Sequence, residues 1–169
     1  MLHGWDNFFI TGSTAGATLI GLLFVAITLG TGLSTARGLI STQAFVTPTL
    51  VRFGGVLFLC LAVLVPWTSA WPIGIILGLI GLTGFVYQIY VIFMQRKVDF
   101  LLRDWIDRAF FSAAPVLANV SLMGGAAGLI AGKAFAPYAV AGAVTLLLLA
   151  GIYGAWSITL WIARDRDKT

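Results

Sequence analysis

Few side chains in this sequence can do acid–base, nucleophilic or metal chemistry. The six acidic residues are all aspartates, and the one histidine, His3, stands far along the chain from Asp99, Asp104 and Asp107. General acid–base catalysis needs titratable groups within hydrogen-bond reach of each other and of a substrate. No Ser/His/Asp set, phosphate-binding glycine loop or metal-ligand spacing is present. His3 and Asp6 have the right types to hold a metal, but a solvated terminus accounts for them far better. Cys60 is the one cysteine, so no intrachain disulfide can form. This inventory predicts no catalytic residues, no metal and no cofactor.

What remains is uncharged polarity. Thr11, Thr14, Thr18, Gly21, Val25 and Thr28 follow a 3-4-3-4-3 spacing, which holds them near one face of a helix. Such a seam of small, hydroxyl-bearing side chains is a candidate lining for a narrow water-filled path. The plainer alternative is that each hydroxyl bonds to the carbonyl one turn back, or across to a neighbouring helix. Gln88 and Asn119 are the carboxamides of the long apolar runs. Each lies seven residues from the same end of its run, counting from Gln95 and Ser112, so they are expected to pair directly or through Tyr87 or Ser121. Arg52 is close enough to a helix end for its head group to snorkel to the interface. With Arg52 placed there, no ionisable group lies deep in any apolar run. Proton-coupled transport, which normally uses such a group, is disfavoured.

The elements that carry these residues are long apolar helices. Sixty per cent of residues are hydrophobic and 9% are charged, against roughly 25% charged in an ordinary soluble domain. The expected fold is an all-α, five-transmembrane-helix bundle forming one domain, with spans about 8–29, 48–65, 73–94, 112–132 and 137–163. Thr47 and Pro48 read as an N-cap and first-turn pair for the second span. Gly132 and Pro137 read as the stop and start of the last two. The first span leads with eight small residues, Thr11 to Thr18. A helix that thin can be approached from several sides, so it is expected at the centre of the bundle.

Small residues four apart recur as Gly12/Gly16, as Gly74/Gly78 and as Gly124/Gly128/Gly132. Lipid tails do not drive helices together, and such spacing lets backbones approach closely enough for packing to do so. The last ridge is the leading candidate for a contact between copies.

Charge placement orients the bundle. With the N-terminus outside, inner segments hold Arg37, Arg52, Arg96, Lys97, Arg103, Arg108, Arg164, Arg166 and Lys168, and outer ones hold Lys133. That bias places the C-terminus in the cytoplasm. The net charge of +4 therefore reflects topology, and nucleic acid is not an expected partner. Residues 98–111 read as an amphipathic interfacial helix, with Asp99/Arg103 and Asp104/Arg108 four apart. It is a possible docking surface for a cytoplasmic or membrane partner.

The FF…G…AGA…GLLFVAITL run of the first span and the Gly151-Ile152-Tyr153-Gly154-Ala155-Trp156 run of the last resemble a group of small, uncharacterised bacterial integral membrane proteins. The resemblance implies a bacterial cell membrane, and it implies no activity and no functional residues.

The expected function is non-enzymatic: a self-associating, passive channel-like pathway for an ion or small uncharged solute, lined by Thr11, Thr14, Thr18, Gly21 and Thr28. The alternative is an accessory or assembly subunit of a larger membrane complex.

Overall fold

The structure, a computed structural model, describes residues 4–30, 46–96 and 109–166. Their regular elements are α1 (Asp6–Gly30), α2 (Thr47–Leu64), α3 (Ala70–Arg96), α4 (Ala114–Ile130) and α5 (Ala136–Arg166). A wide π-type turn, Ala109–Ala113, leads into α4. No strand occurs among the described residues. All five helices, α4 taken with its lead-in, are long and apolar enough to cross a membrane. His3 and most of the expected interfacial helix, up to residue 108, lie outside the described residues.

Helix boundaries follow local chemistry. At the end of α4, Gly132 adopts φ +67°, a left-handed conformation that costs glycine little. Its N–H donates to the Leu129 carbonyl, and the Lys133 N–H donates to that of Gly128 at 2.8 Å. This Schellman closure satisfies carbonyls that lipid could not. At the start of α2 the expected cap is displaced. Val46 occupies the cap position in helical geometry, Thr47 is already inside the helix, and no side chain caps the end. At the end of α2, Pro66 has no N–H to give the Ala62 carbonyl four residues back. The Trp67 indole Nε1 donates to that oxygen instead, at 2.7 Å.

The helices lie side by side in the order α1, α2, α5, α4, α3, with lighter contacts between α1 and α5 and between α2 and α3. Bulky aliphatic side chains of α2, α4 and α5 fill the middle: Val56, Leu59, Leu122, Leu129, Val140 and Val144 are all fully buried. One end of the bundle is tied by Trp5 against Tyr138, with ring centroids 5.0 Å apart. Near the other, Phe110 stacks on Tyr153 at 4.6 Å.

The first helix is not central. Only 17% of its span is buried, against 44% for α2, α4 and α5. Its buried face is Phe9, Gly12, Ser13, Gly16 and Leu23, while Thr11, Thr14, Ala17 and Thr18 face outward. Small side chains permit close approach but offer few contact atoms. The dense middle therefore goes to interlocking leucines and valines, and α1 sits outboard with one close seam on α2. A Cβ on Gly12 would stand 2.9 Å from Cys60 Sγ, and one on Gly16 would stand 3.2 Å from the Phe53 carbonyl oxygen.

The other glycines divide similarly. Gly74 lets α3 approach α4, where a Cβ would lie 3.2 Å from the Ala126 carbonyl oxygen; at Gly78 one would lie 3.8 Å from the Ala126 Cβ. The fourth-span series does not form one outward ridge. Gly124 is exposed, Gly128 is buried against Ala136 and Phe135 of the same chain, and Gly132 makes the turn. The interior seam of α4 runs through Gly125 and Gly128, which face α5.

The α1–α2 seat can be tested directly. Gly16→Leu, which meets backbone that cannot yield, is expected to cost about 1–3 kcal/mol. Gly21→Leu, which meets nothing within 4 Å, should leave the thermal midpoint in detergent nearly unchanged. Equal midpoints for both variants would contradict this seat.

Candidate functional site

The hydroxyl seam of α1 forms one exposed face, holding Thr11, Thr14, Thr18, Gly21, Val25 and Thr28. Thr11 Oγ1 donates to the Asn7 carbonyl at 2.7 Å and Thr14 Oγ1 to that of Ile10 at 2.9 Å. Thr28 Oγ1 donates to the Val25 carbonyl at 2.9 Å. Each of these hydroxyls uses its proton on its own helix. Each oxygen still carries lone pairs that can accept from outside. Ser13 is buried instead, on the side facing α2, and donates to the Ile10 carbonyl.

The most unusual polar cluster lies elsewhere, towards the Phe110–Tyr153 end. Arg52 does not snorkel; it is 5% exposed. Its Nη2 donates to the Phe111 carbonyl at 2.9 Å and, at 3.4 Å, to Gln88 Oε1. The Gln88 amide Nε2 donates to the same Phe111 carbonyl at 2.8 Å. One backbone oxygen thus holds side chains from two helices.

Its availability follows from the sequence. In an α-helix the Phe111 carbonyl would accept from residue 115, but Pro115 has no N–H. Arg52 was expected to reach water, but the Phe111 carbonyl and Gln88 give it polar partners within the bundle. The Phe111 ring adds a cation–π contact, with the guanidinium carbon 5.9 Å from its centroid.

Gln88 and Asn119 are both buried and border one cavity, but they do not bond to each other. Asn119 Nδ2 donates to the Pro115 carbonyl in its own helix at 2.7 Å, and its side-chain oxygen lies over Gly84. Ser121 does not link them either; it donates to the Ala139 carbonyl of α5 at 3.0 Å. The equal depth expected from residue counts is not what the contacts show: Asn119 lies over Gly84, one turn from Gln88, which reaches the Phe111 carbonyl instead. Which acceptor each amide would find was not readable from those counts, because the competing carbonyls belong to the backbone.

The cavity, of about 260 Å³, lies where α2, α3 and α4 diverge. Arg52, Gln88, Asn119 and Tyr87 supply its polar wall, and Ile80, Leu122 and Leu147 its apolar one. Val51 and Thr83, both exposed, stand at its mouth. A second, almost wholly apolar groove of about 270 Å³ runs between α1 and α5, bordered by Thr11, Gly12, Val144 and Thr145. Among the described residues no three His, Cys, Asp or Glu side chains come together.

Searches of known protein families, curated proteins and solved structures find no match to this chain.

Removing the Gln88 amide strips partners from both Arg52 and the Phe111 carbonyl. Gln88→Ala is therefore expected to cost about 1–3 kcal/mol. Asn119→Ala should cost less, because it frees only a bond within one helix turn. In a double-mutant cycle the two should add to within about 0.5 kcal/mol. A large coupling energy would mean that the two amides interact after all.

Proposed function

We propose that this is a non-enzymatic integral membrane protein that self-associates and forms a channel-like pathway for an ion or small uncharged solute. The observation supporting this reading is the uncovered face of α1. The middle of one copy is closed by Phe53, Val56, Leu59, Leu77 and Leu122, all fully buried. A water-filled route therefore has to run along an outer face, between copies. The outer face of α1 carries Thr11, Thr14, Thr18, Gly21 and Thr28, small enough to leave space and bearing hydroxyl oxygens that can accept. Such a lining suits water, a hydroxylated solute or a cation.

In this reading the N-terminus lies outside and the C-terminus in the cytoplasm of a bacterial inner membrane, as the positive-inside bias favours. The segment 98–111 then lies on the cytoplasmic surface. A second reading, an accessory or assembly subunit, draws on the same face, since a foreign helix would cover it as well as a second copy.

Liposome flux and native mass spectrometry separate the two readings. The channel reading expects an oligomer of this chain alone and solute or ion flux above that of empty vesicles. Thr14→Leu and Thr18→Leu should each reduce that flux several-fold without changing the oligomer. Flux no greater than in protein-free vesicles would retire the channel. Recovery from membranes in stoichiometric complex with another membrane protein would favour the subunit.

A further inference from the structure

The cavity between α2, α3 and α4 holds an acceptor that the fold leaves without a donor. Asn119 is 6% exposed and lines that cavity. Its Nδ2 donates to the Pro115 carbonyl, so Oδ1 is the end that lies over Gly84, where a Cβ would collide with it. Among the described residues no N–H or O–H donates to that oxygen. Gly84 stands near the middle of α3, at a depth where lipid supplies no donor. A carboxamide oxygen left unpaired there is costly.

We propose that this cavity binds a small neutral amphiphile whose hydroxyl donates to Asn119 Oδ1 and whose apolar body lies against Ile80, Leu122 and Leu147. Charge decides against the other classes. Arg52 borders the same space, so an ammonium group is repelled. The unpartnered Nε and Nη1 of Arg52 are themselves buried, so an anion gains no hydrogen bond from them. A neutral O–H meets the Asn119 oxygen without either difficulty. The cavity, at about 260 Å³, has room for roughly ten non-hydrogen atoms, scaled from a ~150 Å³ cavity that takes benzene. Its mouth lies beside the exposed Val51 and Thr83, and Gly55 and Gly84 add no side chains to the walls. A molecule dissolved in the bilayer therefore enters between α2 and α3 without crossing water. This site is separate from the α1 face proposed as a pathway, and neither requires the other.

The test is photolabelling of the full chain in phosphatidylcholine vesicles with a diazirine-bearing octanol, the labelled positions being read by peptide mass spectrometry. The expected result is saturable labelling at the cavity-lining residues. Unlabelled 1-octanol should compete roughly three- to tenfold better than its methyl ether at matched bilayer concentration, because the ether has the same chain and no donor. Asn119→Leu keeps the side-chain volume and should erase that preference for the alcohol. Gly55→Leu leaves the acceptor intact and narrows the cavity. A Cβ at Gly55 meets nothing within 4 Å, so this variant should fold and should lose cavity labelling several-fold. Water alone in the cavity would give no saturable labelling, and that result overturns the proposal. So does equal competition by alcohol and ether, a preference that survives Asn119→Leu, or cavity labelling undiminished in Gly55→Leu.

Discussion

Inside a membrane every backbone carbonyl must find a donor within the protein, and at Pro66 and Pro115 the donor that an α-helix would supply is missing. Pro66 cannot supply the α-helical N–H to the Ala62 oxygen, nor Pro115 to the Phe111 oxygen. The first is met locally by the Trp67 indole, which fixes the turn between α2 and α3. The second is met from a distance by Arg52 of α2 and Gln88 of α3. That single oxygen joins three parts of the bundle: α2, α3 and the turn before α4. Arg52 and Gln88 are held at one point by it.

Close packing does the rest. Where two helices run nearly in contact, a glycine on one lies over backbone of the other: Gly16 over Phe53, Gly74 over Ala126, and Gly125 over the start of α5. Where that fit is lacking, between α2 and α3, the helices part and the polar cavity opens. Voids in a packed bundle are more informative when polar groups face them, since an apolar void has no need of an occupant. Here Arg52, Gln88 and Asn119 border the void. The apolar groove between α1 and α5 has no such demand.

These two regions divide the functional reading. The outer face of α1 bears on the proposed association and path between copies, whereas the Arg52 cavity lies within one copy. They lie on different helices and respond to different substitutions.

Composition and the run lengths of apolar residues were enough to determine an all-helical chain with five membrane-length helices, because lipid permits few other solutions for such runs. The Gly132 stop was legible too, since glycine takes a left-handed φ at little cost. The burial of Arg52 was not legible: its place near a helix end read as a snorkelling cation, and nothing in the linear order says that the Phe111 carbonyl and Gln88 will hold it inside. The place of α1 was not legible. A run of small residues states how closely a neighbour can come, but not how many neighbours will come, and the bulky side chains of the other helices settled that. Tertiary structure alone decided which face of α1 is covered, which amide meets which carbonyl, and where the bundle leaves space. Each is a competition between distant groups for one partner, and residue order does not contain its outcome.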